Sequence, residues 1–135
     1  AVALTDGPRA SGHYRHLGPR RRMTTFAVVS HIVTNRVVWT YQADNWPLGV
    51  ITGYENEHGF FIEHVIVFPH VPRGTLLRML RAGMAEAWDR GYCAIRFCLP
   101  EEFPLTFQLT SLARRLGFEP YIETMGMTFY IRWRP

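Results

Sequence analysis

The sequence predicts an α+β domain in which helices flank a central mixed, mostly antiparallel sheet. Many short runs are rich in β-branched and aromatic residues, which is typical of strands. Two further segments carry apolar residues at helical spacing, and each ends at a glycine. Because the chain has 135 residues, of which 47% are hydrophobic, it can bury one core, and we expect a single domain.

The first half of the chain is predicted to form an antiparallel meander. Segment 24–34 fits both a helix face and a strand, and its β-branched residues favour a strand. Segments 36–43 and 48–54 are clearer strands, separated by turn residues. Segment 60–68 is nearly continuous in apolar residues, as expected of a central strand covered on both faces.

The second half is predicted to alternate helices and strands. Segment 75–90 has one apolar helical face and is followed by the terminating residue Gly91. A strand on each side of this helix predicts a right-handed crossover between parallel strands. The remaining predicted elements are a strand at 92–99, a helix that Pro104 opens and Gly117 ends, and strands at 118–123 and 127–133.

The charged residues are unevenly distributed. All 15 basic residues are arginines, which excludes mechanisms that need a lysine, such as a Schiff base or a Walker loop. Residues 1–22 hold five arginines and one aspartate, so they are predicted to be a basic N-terminal arm, flexible or extended, ahead of a domain at 23–135. The domain itself is charge-balanced, which gives no indication of nucleic-acid binding.

Targeting and membrane signals are not evident in the sequence. No run of about 18 apolar residues occurs, so no transmembrane helix is predicted. Residues 1–22 also lack an apolar stretch ahead of a small-residue cleavage site. We therefore expect a soluble, cytoplasmic protein that does not associate with membranes.

Five segments, in order, are similar to a known family. FFIEHVIVFP, RGTLLRMLRAGMAEAWDRGY, CAIRFCLP, SLARRLGFEPY and MTFYIRW together resemble the Gcn5-related N-acetyltransferase (GNAT) superfamily over about residues 48–133. The resemblance implies a GNAT-like acyl-CoA N-acyltransferase fold. It also implies transfer of an acetyl group from acetyl-CoA, as co-substrate, to an amine on a small molecule or a protein.

The resemblance also implies a coenzyme A site. The pantetheine arm would lie along the strand before the loop, and loop amides would hold the pyrophosphate at a helix N-terminus, where free N–H groups and the helix dipole favour an anion. The loop departs from the family pattern, because Val71 replaces an Arg or Gln and Leu76 replaces a small residue. The implied cofactor-binding residues are Val65, Ile66, Val67, Val71, Arg73, Gly74, Thr75 and Leu76.

Glu63 is the best candidate for a general base. A carboxylate in a buried strand can have a raised pKa, which suits proton abstraction from an ammonium group. The alternative is a structural ion pair with an arginine. Strand alternation predicts that His64 points to the face opposite Glu63, so that only one of the two can face a shared cleft.

The general acid is left open by the sequence. A tyrosine four residues before the glycine of the LGF segment often protonates the leaving thiolate in the family, and Ala113 occupies that position here. Tyr121 and Tyr130 are candidates to replace it. His70 is a weaker candidate for phosphate contact. The histidines have no spacing typical of a ligand set, and we predict no metal.

A second hypothesis assigns the chain a different class of function. A member of the same fold that has lost catalysis would serve as a binding or assembly protein, anchored in a larger assembly or a homodimer through the arginine-rich arm. Nucleic-acid binding through that arm is the least supported alternative.

Overall fold

The computed structural model describes residues 24–101 and 106–135. This part of the chain forms seven strands and two helices. In chain order they are β1 (Phe26–Val33), β2 (Arg36–Ala43), β3 (Trp46–Asn56), β4 (Gly59–Val67), α1 (Thr75–Asp89), β5 (Ala94–Pro100), α2 (Thr106–Arg115), β6 (Glu119–Thr124) and β7 (Met127–Trp133). The predicted arm at 1–22 and the predicted helix start at Pro104 lie outside the described residues.

All seven strands join one sheet in the order β1-β2-β3-β4-β5-β7-β6. Every neighbouring pair is antiparallel except β4 and β5, which are parallel. The predicted mixed, mostly antiparallel sheet is therefore confirmed, and segment 24–34 is a strand. Strands β1–β4 pair in chain order as antiparallel hairpins. The contacts in this half of the sheet therefore join residues that are close in sequence.

Helix α1 connects β4 to β5, as its apolar periodicity predicts. Met79, Gly83 and Ala87 are buried at helical spacing against the sheet. Gly83 leaves no room for a side chain, since a Cβ there would lie 2.8 Å from the Cδ1 of Ile51. The helix stops at Arg90, and Gly91 follows with a φ of 85°, a left-handed conformation that glycine adopts readily.

The hydrophobic core lies on one face of the sheet, between the strands and both helices. Trp39 and Phe60 pack there with their ring centroids 4.5 Å apart. The wall of an apolar cavity in this core includes residues of both α1 and α2. The β4–α1–β5 and β5–α2–β6 connections advance in the same direction across the sheet. Since such crossovers are right-handed, they bring both helices to the same face.

The prediction that the central strand 60–68 is covered on both faces is wrong. Among the described residues, no helix packs on the second face, which we call the open face. Phe61 and Ile66 lie on it and are partly exposed, and His64 is exposed. The open face still contains stacked aromatic rings, such as Tyr54 and Phe61 at 5.3 Å, which explains why the strand reads as apolar throughout.

The predicted opposition of Glu63 and His64 is also wrong. The register between β3 and β4 shifts, so that Thr52 faces His64 whereas Gly53 faces Ile62. Glu63 is the extra residue of a β-bulge, which breaks the alternation of side chains. His64 approaches Thr52 on the open face, and Glu63 contacts Arg36, which lies on the same face.

Candidate functional site

The central feature of the site is a gap between β4 and β5. These strands pair at only two positions, Phe60 with Ile95 and Phe61 with Arg96. Beyond them, β4 continues to Val67 and β5 to Pro100 without further pairing to each other in the described sheet. Each strand remains paired on its other side, to β3 and β7. The two facing edges thus present backbone N–H and C=O groups to an opening inside the sheet.

The loop after β4 leads directly to the N-terminus of α1. Its N-cap is Gly74, with a φ of 83° and no side-chain cap. Thr75 donates its backbone N–H and its hydroxyl to the carbonyl of Pro72, which fixes the loop. The amides of Leu76 and Leu77 have no backbone acceptor within the described residues. This helix end consequently offers free donors.

The charge around this helix end is unusual. The first turn of α1 contains no acidic residue, although acidic residues there stabilise a helix. Instead Arg73 precedes the helix and Arg78 lies in its first turn. A nitrogen of Arg78 donates to the carbonyl oxygen of Arg73 at 3.2 Å, and its guanidinium carbon is 5.9 Å from the centre of the Phe26 ring. The arrangement disfavours the free helix and favours a bound anion.

The predicted cofactor-binding residues lie along the gap and around this helix end. Val65 is buried in the core, whereas Ile66 points to the open face, since its β3 partner Val50 lies there. Val67, Val71 and Leu76 pack against the core, and Arg73 and Gly74 are exposed. Most of the apolar side chains are therefore occupied by packing. Their backbone groups, together with the guanidinium of Arg73, are the parts that can contact a ligand.

Glu63 and His64, on the strand that borders the gap, share the open face with Arg36 from β2. The side chain of Glu63 is 25% exposed and forms an ion pair with Arg36, whose side chain is 63% exposed. The hydroxyl oxygen of Thr52 lies 3.3 Å from Nδ1 of His64. Arg36 did not emerge from the sequence as part of this group. Its only signal was its position at the start of β2, two strands away from Glu63.

The two candidate acids lie on opposite faces of the sheet. Tyr130 is buried on the helix-covered face, stacks on Phe97 at 5.1 Å, and its hydroxyl lies 3.3 Å from that of Thr110 in α2. Tyr121 is 43% exposed at the outermost strand and contacts Phe129. Because β7 is adjacent to β5 and β6 is one strand farther away, Tyr130 is nearer to the gap.

An apolar cavity lies beneath the gap on the helix side. Its wall includes Ile62 and Val65 from β4, Phe97 and Leu99 from β5, and side chains of both helices, among them Ala113. The cavity volume is about 50 Å³. The gap and the cavity share their strand walls, so a molecule lying in the gap has access to an apolar space below it.

Tyr92 stabilises the closed end of the gap, where β4 and β5 pair with each other. Its ring stacks on Phe60 at 5.7 Å, and its hydroxyl donates a hydrogen bond to a carboxylate oxygen of Glu55. Burial and this hydrogen bond together raise the pKa of Tyr92 well above its ordinary value of 10.0. Nearby, Glu86 accepts hydrogen bonds from Ser30 at 2.9 Å and from Arg90 at 3.0 Å. These contacts join β1, β3 and β4 to the segment that leads into β5.

Within residues 24–101 and 106–135, no group of three or more His, Cys, Asp or Glu side chains is arranged to hold a metal ion. No helix in the same ranges is long and apolar enough to cross a membrane.

Several solved structures with a similar architecture are named acetyltransferases. An acetyltransferase from Bacillus subtilis in complex with CoA has a TM-score of 0.64 and 12% identity, over 82% of this chain and 100% of that one. The PaiA N-acetyltransferase from Thermoplasma acidophilum, in complex with coenzyme A, has a TM-score of 0.60 and 11% identity, over 74% and 62%. The IAA acetyltransferase from Bacillus cereus ATCC 14579 has a TM-score of 0.59 and 14% identity, over 74% and 79%.

These similarities define the fold of the protein. The seven-stranded mixed sheet with two helices on one face is a GNAT-like fold, as the sequence resemblance implied. No protein-family sequence profile matches the chain, and no curated protein sequence matches it. At 11–14% identity, the similarity extends to the architecture alone, and the activity has to be argued from the site.

Proposed function

We propose that the protein is an N-acyltransferase that moves an acetyl group from acetyl-CoA to an amine on a small molecule or a protein. One observation carries the proposal: the gap between β4 and β5 opens beside an uncapped helix N-terminus flanked by arginines. A coenzyme A thioester has amides, which need backbone partners, and phosphates, which need donors and positive charge. The gap edges and the N-terminus of α1 supply both in adjacent places.

The binding residues follow from this geometry. The edge of β4 at Val65–Val67 offers N–H and C=O groups to the amides of the pantetheine arm, as a neighbouring strand would. The amides of Gly74–Leu76 and the guanidinium of Arg73 surround the diphosphate. The loop departures at Val71 and Leu76 remove family-like contacts, so backbone donors and Arg73 carry more of the binding.

The reacting groups are divided between the two faces. Acetyl-CoA supplies an electrophilic thioester carbon when bound in the gap. On the open face, Glu63 takes a proton from the amine while the C–N bond forms and the C–S bond breaks. The leaving thiolate takes up a proton, for which Tyr130 is the nearer candidate and Tyr121 the alternative. Arg36 positions Glu63 through their ion pair.

Calorimetric titration of the full chain with acetyl-CoA and with CoA tests the proposal. We expect binding in the micromolar range and release of free thiol in the presence of acceptor amines. If neither molecule binds, the enzyme proposal is wrong, and the same fold acting as a binding or assembly protein becomes the better account. Binding without thiol release across a broad amine panel would indicate a protein that has retained the site and lost catalysis.

Glu63→Gln tests the base separately from the binding site. We expect turnover to fall about 100-fold or more, as is typical when a general base is removed, with little change in the affinity for acetyl-CoA. Glu57→Gln is the matched control, because Glu57 lies in the β3–β4 loop and its side chain is 85% exposed. Equal turnover in the two variants would remove Glu63 from the mechanism.

A further inference from the structure

The proposed transfer of an acetyl group makes no use of the apolar cavity beneath the gap. It lies between the helix-covered face of the sheet and both helices, and its wall is built from apolar residues of β2–β5, α1 and α2. Amides and phosphates would lose their hydrogen bonds in such surroundings. Whatever enters the cavity is therefore hydrocarbon.

The cavity is positioned to receive a chain that starts in the gap. Ile62 and Val65 form part of its wall from one edge of the gap, and Phe97 and Leu99 from the other. These residues belong to the parts of β4 and β5 that do not pair with each other. A thioester held between the two edges thus lies directly above the cavity, with the acceptor side and Glu63 on the opposite, open face.

The size of the cavity limits the length of the chain. Its volume is about 50 Å³, and a water-sized group needs roughly 10–15 Å³ of such space, so about four groups of that size fit. A methylene group is close to water in size. An acetyl group leaves most of this space empty, whereas the additional carbons of a four- to six-carbon acyl chain would fill it and restore dispersion contacts to the walls.

We infer that the cavity is an acyl-chain pocket, and that the preferred donor is a CoA thioester of about four to six carbons rather than acetyl-CoA. The inference rests on the proposed function, because the thioester must first occupy the gap. Ala113 sets the depth of the pocket. It is 4% exposed, lines the cavity from α2, and carries a small side chain among larger neighbours.

Titration of the full chain with CoA, acetyl-CoA, butanoyl-CoA, hexanoyl-CoA and dodecanoyl-CoA tests the inference. Each buried methylene group increases affinity about fourfold, so hexanoyl-CoA should bind at least tenfold more tightly than acetyl-CoA. The gain should stop near six carbons, where the cavity is full. Dodecanoyl-CoA should bind no more tightly than hexanoyl-CoA.

Ala113→Phe tests whether the gain in affinity with chain length arises in this cavity. A phenyl group at this position fills the cavity, so the ratio of hexanoyl-CoA to acetyl-CoA affinity should fall at least tenfold. Ala113→Leu, which adds less volume, should give an intermediate ratio and serves if the larger change prevents folding. Ala85→Phe is the control, because Ala85 is exposed on α1 and should leave the ratio as in the wild type.

The outcomes separate this inference from the proposed function. If CoA and acetyl-CoA bind and hexanoyl-CoA binds no more tightly than acetyl-CoA, the pocket assignment is wrong and the acetyltransferase proposal stands. An affinity gain that survives both Ala113 variants would also overturn the assignment to this cavity. If no CoA compound binds, the proposed function and the inference fail together.

Discussion

The two halves of the sheet differ in how completely their strands are paired. In the N-terminal half, β1–β4 pair along nearly their whole lengths, with eight residue pairs between β2 and β3 alone. In the C-terminal half, β5, β7 and β6 form a second unit that is paired along most of its length. The two units join through only two residue pairs between β4 and β5. Hairpins therefore build the fold, and the incomplete junction between them creates the candidate site.

The same difference separates backbone groups that stabilise the fold from backbone groups that remain available to a ligand. Strands paired on both sides have no backbone group left for a ligand, whereas the facing edges of β4 and β5 do. The helix end beside the gap follows the same logic, since its uncapped amides and nearby arginines weaken the free helix and suit an anion. In both places the isolated chain leaves interactions incomplete.

The largest expected effect comes from disturbing the junction. Gly59, at the start of β4, has a φ of 115°, and a Cβ there would collide with the carbonyl oxygen of Ala94 at the start of β5. Since only two residue pairs hold this junction, we expect Gly59→Ala to lower the free energy of unfolding by about 3 kcal/mol or more. Chemical denaturation measures it.

Gly91→Ala is the matched control for Gly59→Ala. Gly91 also has a positive φ, 85°, but no atom lies within 4 Å of the position of a Cβ. The substitution therefore adds backbone strain alone, about 1 kcal/mol. Equal losses in the two variants would show that the contact between β4 and β5 is not the critical element of the junction.

A smaller effect on stability is expected from removing the hydrogen bond of Tyr92 at the closed end of the gap. Tyr92→Phe removes the hydrogen bond to the carboxylate of Glu55 and should lower the free energy of unfolding at pH 7 by about 1.5 kcal/mol. Tyr54→Phe, which removes a hydroxyl from the open face, is the control and should change stability less. Thermal and chemical denaturation at several pH values give the comparison.

The same variant gives a pH dependence with a definite sign. Burial and Glu55 raise the pKa of Tyr92 in the folded protein above the ordinary value of 10.0. Below pH 10 the contribution to stability is fully present. Above pH 10 the unfolded chain releases this proton while the folded chain keeps it, so stability falls as the pH rises. Wild type should lose stability faster than Tyr92→Phe above pH 10, and parallel curves would contradict the assignment.

The smallest effect on stability is expected at the helix end, and it has the opposite sign. Arg73→Gln removes an exposed cation that directly precedes α1 and should stabilise the free protein by about 0.3–0.5 kcal/mol. The same change should weaken CoA binding roughly tenfold, because a charge-assisted contact is lost. Arg81→Gln, on the exposed side of the second turn, should do neither. A variant at Arg73 that loses stability and keeps its affinity would contradict the proposed phosphate contact.

The sequence predicted the helices and strands better than it predicted the register and the contacts between them. The strand at 24–34 followed from its β-branched residues, and helix α1 followed from its apolar periodicity and from Gly91 at its end. The terminal hairpin followed from two strand segments on either side of a turn. The bulge at Glu63 could not be predicted, because it arises from the register between β3 and β4 and not from a local pattern. The ion pair of Arg36 with Glu63 depends on the same register. The open face was missed because aromatic pairs such as Tyr54 with Phe61 make a one-sided strand look buried.

We propose that a coenzyme A thioester completes the gap between β4 and β5. Backbone amide hydrogen exchange with and without acetyl-CoA tests it most directly, since unpaired edges exchange rapidly and paired ones slowly. We predict that acetyl-CoA slows exchange at Ile62–Val67 in β4 and at Gly74–Leu77, and leaves the β2–β3 amides unchanged. Binding that left β4 unprotected, or that slowed exchange only on the outer strands, would contradict the account.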